Sequence, residues 1–450
     1  MLARHWTEAG LIEKAAGLWG KAGQRSLARS ALVEAIEQLT RALAQIATMP
    51  ETPALRREEI KLQVALTNPL MLVKGYAAPE TKAAVERASL LIEQAEMVGE
   101  HLEDPLLLFS VIYGFWLANY VAYSGDAMRE LAAQFLAVAQ KQAMTAPFLI
   151  AHRIMGISLL GAGDTAQGRA HFDQGIALYD PVEHRSLAMR FGHDNQVACL
   201  SYRAWALWML GYPQAALADA DDALQHARAI GQAATSVYAV FHTGFAHLFC
   251  GDFATVTALA DELITLANEK NTVFYKALGT MNKGCVLAMS GKASDAVQMI
   301  TSGITTYRGT GSRVLMPLYL AYLGRAYLDL GQFDDAWRCV GEAITAVEIT
   351  KEKWWEAEVN RMAGETVLLG QERDTTKAEA YFEHSLSVAR QQQAKSWELR
   401  AAMSLARLWR DQGKQDEARD LLVPIHGWFT EGFETRDLKE ARALLGELSP

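Results

Sequence analysis

Apolar residues recur at three- and four-residue steps along most of the chain, the spacing that gathers them on one face of a helix. The stretch Leu323-Gly324, Tyr327, Phe333, Ala336, Val340, Ala343 is the most regular example, with a break at Gly331. Runs of alternating β-branched residues are missing, and the scarce prolines sit mostly where helices would end. The pattern therefore predicts helices joined by short turns and gives strands little support. The breaks are periodic. Gly163, Gly211, Gly251, Gly291, Gly331 and Gly413 each follow one helical stretch and precede another, and the steps from Gly211 through Gly331 are each 40 residues. Glycine at such a point can take the left-handed conformation that ends a helix and reverses the chain.

Small residues flank these turns at fixed offsets. Gly156, Ala204, Gly244, Gly284, Gly324 and Ala406 lie seven residues before the turn glycine, and Gly168, Ala216, Ala296, Ala336 and Ala418 lie five after it. Two helices packed closely as an antiparallel pair need small side chains where their axes approach. The unit around Gly331 resembles the tetratricopeptide repeat at nearly every signature position, and the units at Gly211, Gly251 and Gly291 are more divergent forms of it. One helix pair cannot bury its own apolar face, so stacked pairs form a continuous core. The expected fold is all-α, a right-handed α-solenoid of antiparallel helix pairs.

The period near 40 exceeds the usual 34 or so of the family. The extra residues are expected in loops between units, such as 231–236. Ala15, Trp19 and Ala22 read as a second helix whose first helix is missing, as if the chain began within a pair. Ala35, Leu39 and Ala42 read as the next second helix, after Gly23. The expected divisions are 1–48 for N-terminal helices, 49–145 for divergent repeats, 146–427 for tetratricopeptide-like repeats and 428–450 for a capping segment. Asp437 and Glu440 are spaced as N-cap and N3 of a closing helix that runs to about Leu445.

Composition narrows the function classes. Half of the 450 residues are apolar, which allows a large core, and the net charge of −9 is spread along the chain with no basic stripe. That argues against nucleic acid and against an anionic membrane surface. Cys199, Cys250, Cys285 and Cys339 lie far apart in apolar helical contexts, as expected of reduced thiols in the cytoplasm. The start of the chain has no apolar stretch of signal-peptide length. The apolar run 106–123 is interrupted by Ser110, Gly114 and Asn119 and reads as a buried helix, with Phe115, Trp116, Tyr120 and Tyr123 packing between repeats.

Catalytic patterns are missing. Gly17, Gly20 and Lys21 do not have phosphate-loop spacing, and no dinucleotide fingerprint or nucleophile elbow occurs. His242 and His247 are not spaced to share a helix face, while His184 and His193 fall in a stretch read as a solvated loop. Asp334-Asp335 suits a helix N-terminus, and Asp221-Asp222 suits a solvated face. No cofactor or metal is implied.

In a tetratricopeptide architecture the first helix of each pair lines the concave surface. Positions one after, or three or four either side of, the small signature residue point into it. These positions, with Tyr238 six before Gly244 and Asp329 five after Gly324 included, give Arg153, Trp205, Trp208, Tyr238, Phe241, Phe245, Arg325, Asp329, Arg361, Glu365 and Arg407 as the candidate partner-binding face. Aromatics beside arginines suit a peptide or helix of a partner, although each aromatic also suits a core position. A small effector that stacks on the aromatic stretch is the alternative.

Three stretches carry a narrower resemblance: residues 2–43, residues 377–408, and WFTEGFETRDLKEARALL from Trp428. They are similar to the C-terminal repeat region of large bacterial signalling proteins in which a class III adenylate/guanylate cyclase domain and an AAA-type ATPase precede the repeats. The resemblance implies a regulatory interaction module whose partners include those upstream domains. It carries over no catalytic residue, because the cyclase and ATPase motifs are absent here, so adenylate cyclase activity by family association is a further alternative that would need domains outside this chain.

Overall fold

The computed structural model describes residues 2–75, 78–100, 104–142, 144–370 and 373–449, and among them every regular element is helical. The helices pair antiparallel with their neighbours in sequence. Asn195–Met209 packs on Pro213–Ile230, Ala233–Cys250 on Phe253–Lys270, Val273–Met289 on Ala293–Gly309, and Met316–Asp329 on Phe333–Thr350. Glu356–Leu369 with Thr375–Gln391 and Lys395–Asp411 with Gln415–His426 continue the stack. The protein is an all-α solenoid of tetratricopeptide type. Its turn glycines take the left-handed conformation expected of them, with φ of +90° at Gly211, +82° at Gly251, +74° at Gly291 and +71° at Gly331. Asp334 and Asp335 occupy the first turn of their helix, as read from the sequence.

The long period is not made of loops. Helices Pro213–Ile230, Ala233–Cys250 and Phe253–Lys270 have 18 residues each, about five turns. The stretch 231–236 is mostly helix, with only Gly231 and Gln232 outside it. The expectation of enlarged loops is therefore replaced by lengthened helices with two-residue connections. A second row of left-handed residues closes each unit: Gly231, Asn271, Gly311 and Lys351, again 40 apart.

The beginning of the chain also differs from expectation. Ile12–Ala28 and Leu32–Ile46 form one complete pair, and a short helix Leu2–Glu8 packs against the first of them. Gly23 lies inside a helix and is not a break. A Cβ there would sit 2.6 Å from Cγ of Leu39, so the glycine permits close approach, while Ser30 supplies the turn at φ +56°. Gly23, Ser30 and Ala35 thus repeat the small–turn–small spacing with serine in the turn. At the other end, the N-cap of helix Arg436–Glu447 is Thr435 and not Asp437. The Asp437 carboxylate instead accepts from Arg400 Nε at 2.7 Å.

The stretch with His184 and His193 is not a solvated loop. It folds as Pro181–His184, a 3₁₀ turn and Ala188–Phe191, with Asp180 capping the first of these, and both histidines are buried. Leu106–Ala122 is largely buried, and among the described residues no helix is long and apolar enough to cross a membrane. All four cysteines are buried and free.

The superhelix closes on itself. The backbone N–H of Arg313 donates to the carbonyl of Val121 at 2.8 Å, and that of Ala215 to Glu431 at 2.9 Å. Ser396 Oγ donates to the carbonyl of Trp208, 188 residues away. Successive turns are therefore in contact, and aromatic side chains fill the space between them. Trp205, Trp354, Trp355 and Trp397 are all buried, and their rings lie within about 5–6 Å of Phe249, Tyr202 or one another. Indole N–H groups that enter such a core need acceptors. Trp205 donates to the carbonyl of His242 at 3.1 Å and Trp397 to that of Trp354 at 3.2 Å. Trp354 and Trp355 both donate to Glu352 Oε1, at 2.8 and 3.1 Å.

Candidate functional site

The aromatic plug splits the inner face of the solenoid into two openings, and the candidate residues divide among three places. Trp205, Trp208 and Phe245 belong to the plug itself, at most 2% exposed. Their rings pack on His242, Phe249 and Trp397 and are not presented on an open face. Arg153, Tyr238 and Phe241 line an aromatic cavity of about 40 Å³, walled also by Trp116, Tyr120 and Tyr202. Arg325, Arg361, Glu365 and Arg407 line a charged cleft of about 100 Å³. Asp329 pairs with Arg325 at 3.0 Å beside it. Of the four aromatics read as inter-repeat packing, Trp116 and Tyr123 are buried, with Trp116 Nε1 bonded to Ser158 Oγ at 2.9 Å.

The charged cleft is built by the first helices of three successive pairs and the closing helix. Arg361 makes a fork onto Glu358, with both bonds at 2.8 Å, and also reaches Glu365. Arg325 meets Glu365 at 3.4 Å, Arg400 bridges Glu358 at 3.6 Å and Asp437 at 2.7 Å, and Arg407 meets Glu440 at 3.2 Å. Arg400 also lies 5.0 Å over the Trp208 ring and donates to the carbonyl of Phe249 at 3.0 Å, which ties the cleft to the plug. Burial pushes the Glu365 carboxyl up, but Arg361 and Arg325 outweigh it and hold the pKa below the ordinary range. At Asp437 burial prevails over Arg400 and the carboxyl is raised. Five arginines face four carboxylates in the lining, so this cleft is locally cationic in an acidic protein.

Glu358, Arg400, Arg436, Asp437 and Glu440 were not among the sequence candidates. Glu358 and Arg400 sit six residues before their small signature residues Gly364 and Ala406, the position that Tyr238 holds before Gly244. A rule extended by one helical turn finds both. Arg436, Asp437 and Glu440 come from the closing helix, which packs beside Lys395–Asp411 as the next helix of the stack, while the fold-back of the superhelix brings Phe249 and Phe253 to the same cleft. Among the described residues no group of three or more His, Cys, Asp or Glu side chains is placed to hold a metal ion.

Glu352 anchors the seam between two turns. It is fully buried, and its Oε1 accepts from the backbone N–H of Leu315 at 2.7 Å as well as from the two indoles. Burial raises its pKa to about 8, against the three donors that favour the anion. The folded chain therefore binds this proton more tightly than the unfolded chain. The associated stability is complete below about pH 4.5 and is lost as the pH rises to about 8. Glu352→Gln keeps the acceptor oxygen and removes the titration. The melting temperature of the variant relative to the parent is expected to rise from pH 5 to pH 8. A flat difference over that interval contradicts the assignment.

The comparisons agree with the fold. No family model matches the chain. An uncharacterised protein of Rhizobium meliloti is 23% identical over 362 residues, 80% of this chain. The chain spans about a third, 34%, of that protein's length. Among solved structures, a Rap protein complexed with competence and sporulation factor has a TM-score of 0.59 at 12% identity, covering 84% of this chain and 98% of that one. Cut9–Hcn1 of the APC/C hetero-tetramer has a TM-score of 0.53 at 13% identity, covering 100% and 89% respectively. The similarity is one of fold, a tetratricopeptide-like helical solenoid.

Proposed function

We propose that this protein is a non-catalytic interaction scaffold that takes a carboxylate-bearing segment of a partner protein in the arginine-rich cleft. The observation that carries the reading is the makeup of that cleft. Arg325 and Arg407, about two-fifths exposed, stand at its rim as cations that a partner can reach. Beneath them lie Leu248, Phe249, Met289, Met362 and Met403. A polar rim over an apolar, methionine-rich floor is the makeup of an adaptable peptide site. The Rap structure, a similar fold complexed with competence and sporulation factor, is in keeping with the same reading. In finer detail, we propose from the resemblance of the end regions that the chain is a regulatory module of a cyclase- and ATPase-bearing bacterial signalling protein. The acidic segments of such modules are then the first partners to try.

The test is fluorescence anisotropy with labelled acidic amphipathic peptides, including segments from those modules. Arg325→Glu with Arg407→Glu should weaken binding at least about tenfold, since removing a rim charge and reversing it both oppose the partner. The melting temperature should change little, because both side chains are partly exposed. Binding that survives the double reversal, or an absence of binding to every acidic segment, sinks the proposal.

A further inference from the structure

The aromatic cavity on the far side of the plug holds two polar groups that the protein leaves incompletely matched. Arg153 is 2% exposed. Two of its N–H groups close the turn at Gly192 by donating to the carbonyls of Phe191 at 3.2 Å and His193 at 3.4 Å, and its guanidinium lies 5.1 Å over the Tyr113 ring. Among the described residues no carboxylate lies within 4.0 Å of it. A guanidinium buried without a counter-ion carries a desolvation penalty, and a cavity beside it is the place for an anion.

His242 supplies the second group. It is 3% exposed, and its Nδ1 is 2.8 Å from the carbonyl of Tyr238. A carbonyl only accepts, so Nδ1 carries the proton and Nε2 presents a lone pair. That Nε2 atom is buried and has no hydrogen-bond partner. Both residues line the same cavity, whose 40 Å³ holds roughly three waters at 10–15 Å³ each. Leu315, in the wall, is held at φ +68°, a conformation costly for a bulky side chain, and its N–H is fixed by Glu352. Tyr202, Tyr238 and Phe274 make the remaining walls broad and apolar.

We propose that this cavity binds a small hydroxycarboxylate of about half a dozen non-hydrogen atoms. The carboxylate meets Arg153, the hydroxyl donates to Nε2 of His242, and the carbon skeleton lies against the aromatic walls. A hydroxyl is favoured over an ammonium because a second cation beside Arg153 would be repelled. The cavity spans two turns of the superhelix, since Val121 and Val314, both lining it, are joined by a backbone hydrogen bond of 3.1 Å. The ligand therefore ties the two turns together. The inference goes beyond the scaffold role and involves none of the cleft residues.

The experiment titrates the full chain with L-lactate and follows both the melting temperature and tryptophan fluorescence, with Trp116 in the wall as reporter. A ligand that binds only the folded state raises the melting temperature saturably. Propionate, which lacks the hydroxyl, and lactamide, which lacks the charge, should each bind at least about tenfold more weakly, because each leaves one buried group unmatched. Arg153→Gln should abolish the lactate response. If that variant does not fold, the three-ligand series on the parent chain decides alone. The proposal is overturned if lactate gives no saturable change up to roughly 100 mM, if lactamide or propionate binds as well as lactate, or if folded Arg153→Gln still responds.

Discussion

Ala336→Trp is expected to melt the pair Met316–Asp329 and Phe333–Thr350, with visible loss of helical circular dichroism and a cost of about 3 kcal/mol or more. Ala336 is fully buried where the two helices approach most closely. The opposing residue is Gly324, and even a Cβ there would lie 3.0 Å from Cγ2 of Val340 and 3.3 Å from the carbonyl oxygen of Ala336. An indole has no rotamer that avoids the facing backbone, so the axes must separate. Each unit of a solenoid is held by its neighbours, so separation here also removes a packing face from Val273–Met289 and Glu356–Leu369. Ile349→Trp on the same helix is the control. Ile349 is 75% exposed, and its replacement should stay within about 0.5 kcal/mol of the parent. If Ala336→Trp melts with the parent's helicity and midpoint, the register of small residues is wrong.

The register was legible because sterics encode it directly. Only a small side chain fits between close axes, and only glycine enters the left-handed region freely, so Gly324, Gly331 and Ala336 announce one unit. Where the constraint loosens, the signal fades. Asn271 and Lys351 hold the same conformation as Gly231 and Gly311. Asparagine adopts it readily and lysine at modest cost, so a search for glycines sees half of that row. Gly23 misleads for the opposite reason. Glycine serves both turns and close contacts, and at Gly23 the contact with Leu39 decides. The length of the helices was hidden too, because a period of 40 fits long loops and long helices equally well.

The candidate site was legible only by halves. The sequence rule found which residues face inward, but what they face depends on superhelical closure. The contact of Ser396 with Trp208 spans 188 residues and leaves no local trace. Closure turns Trp205, Trp208 and Phe245 from an inner surface into a packed plug. It also brings the carbonyl of Phe249 to Arg400, whereas Asp437 and Glu440 reach Arg400 and Arg407 from the next helix of the stack. Asp437 looked like a cap because its spacing to Glu440 suits one, yet the stronger demand is the buried guanidinium. Buried polar groups take the partner that desolvation makes necessary, and that partner lies on the neighbouring helix of the stack.

Arg361→Met is the second large effect expected. The Arg361 side chain is 13% exposed, and it joins Glu358 and Glu365, themselves 9% and 17% exposed. Burial works against the guanidinium, but Glu358 and Glu365 more than restore its charged form. Methionine fills much of the same volume and leaves two buried carboxylates facing each other. Removal of one partner from a buried network costs about 3–5 kcal/mol. Arg325 and Arg400 remain within 3.4 and 3.6 Å of those carboxylates, so the lower end of that range applies. The loss should appear as a shifted urea midpoint with an unchanged slope. Replacing Glu358 and Glu365 by methionine as well should recover most of it, because an apolar set of similar volume is as stable as a buried ion network. The triple variant is then folded and still carries the rim cations Arg325 and Arg407, so it should keep acidic-peptide binding as well as the lactate response beside Arg153. A single Arg361→Met within 1 kcal/mol of the parent would mean that water reaches these groups and that the cleft is not a buried network at all.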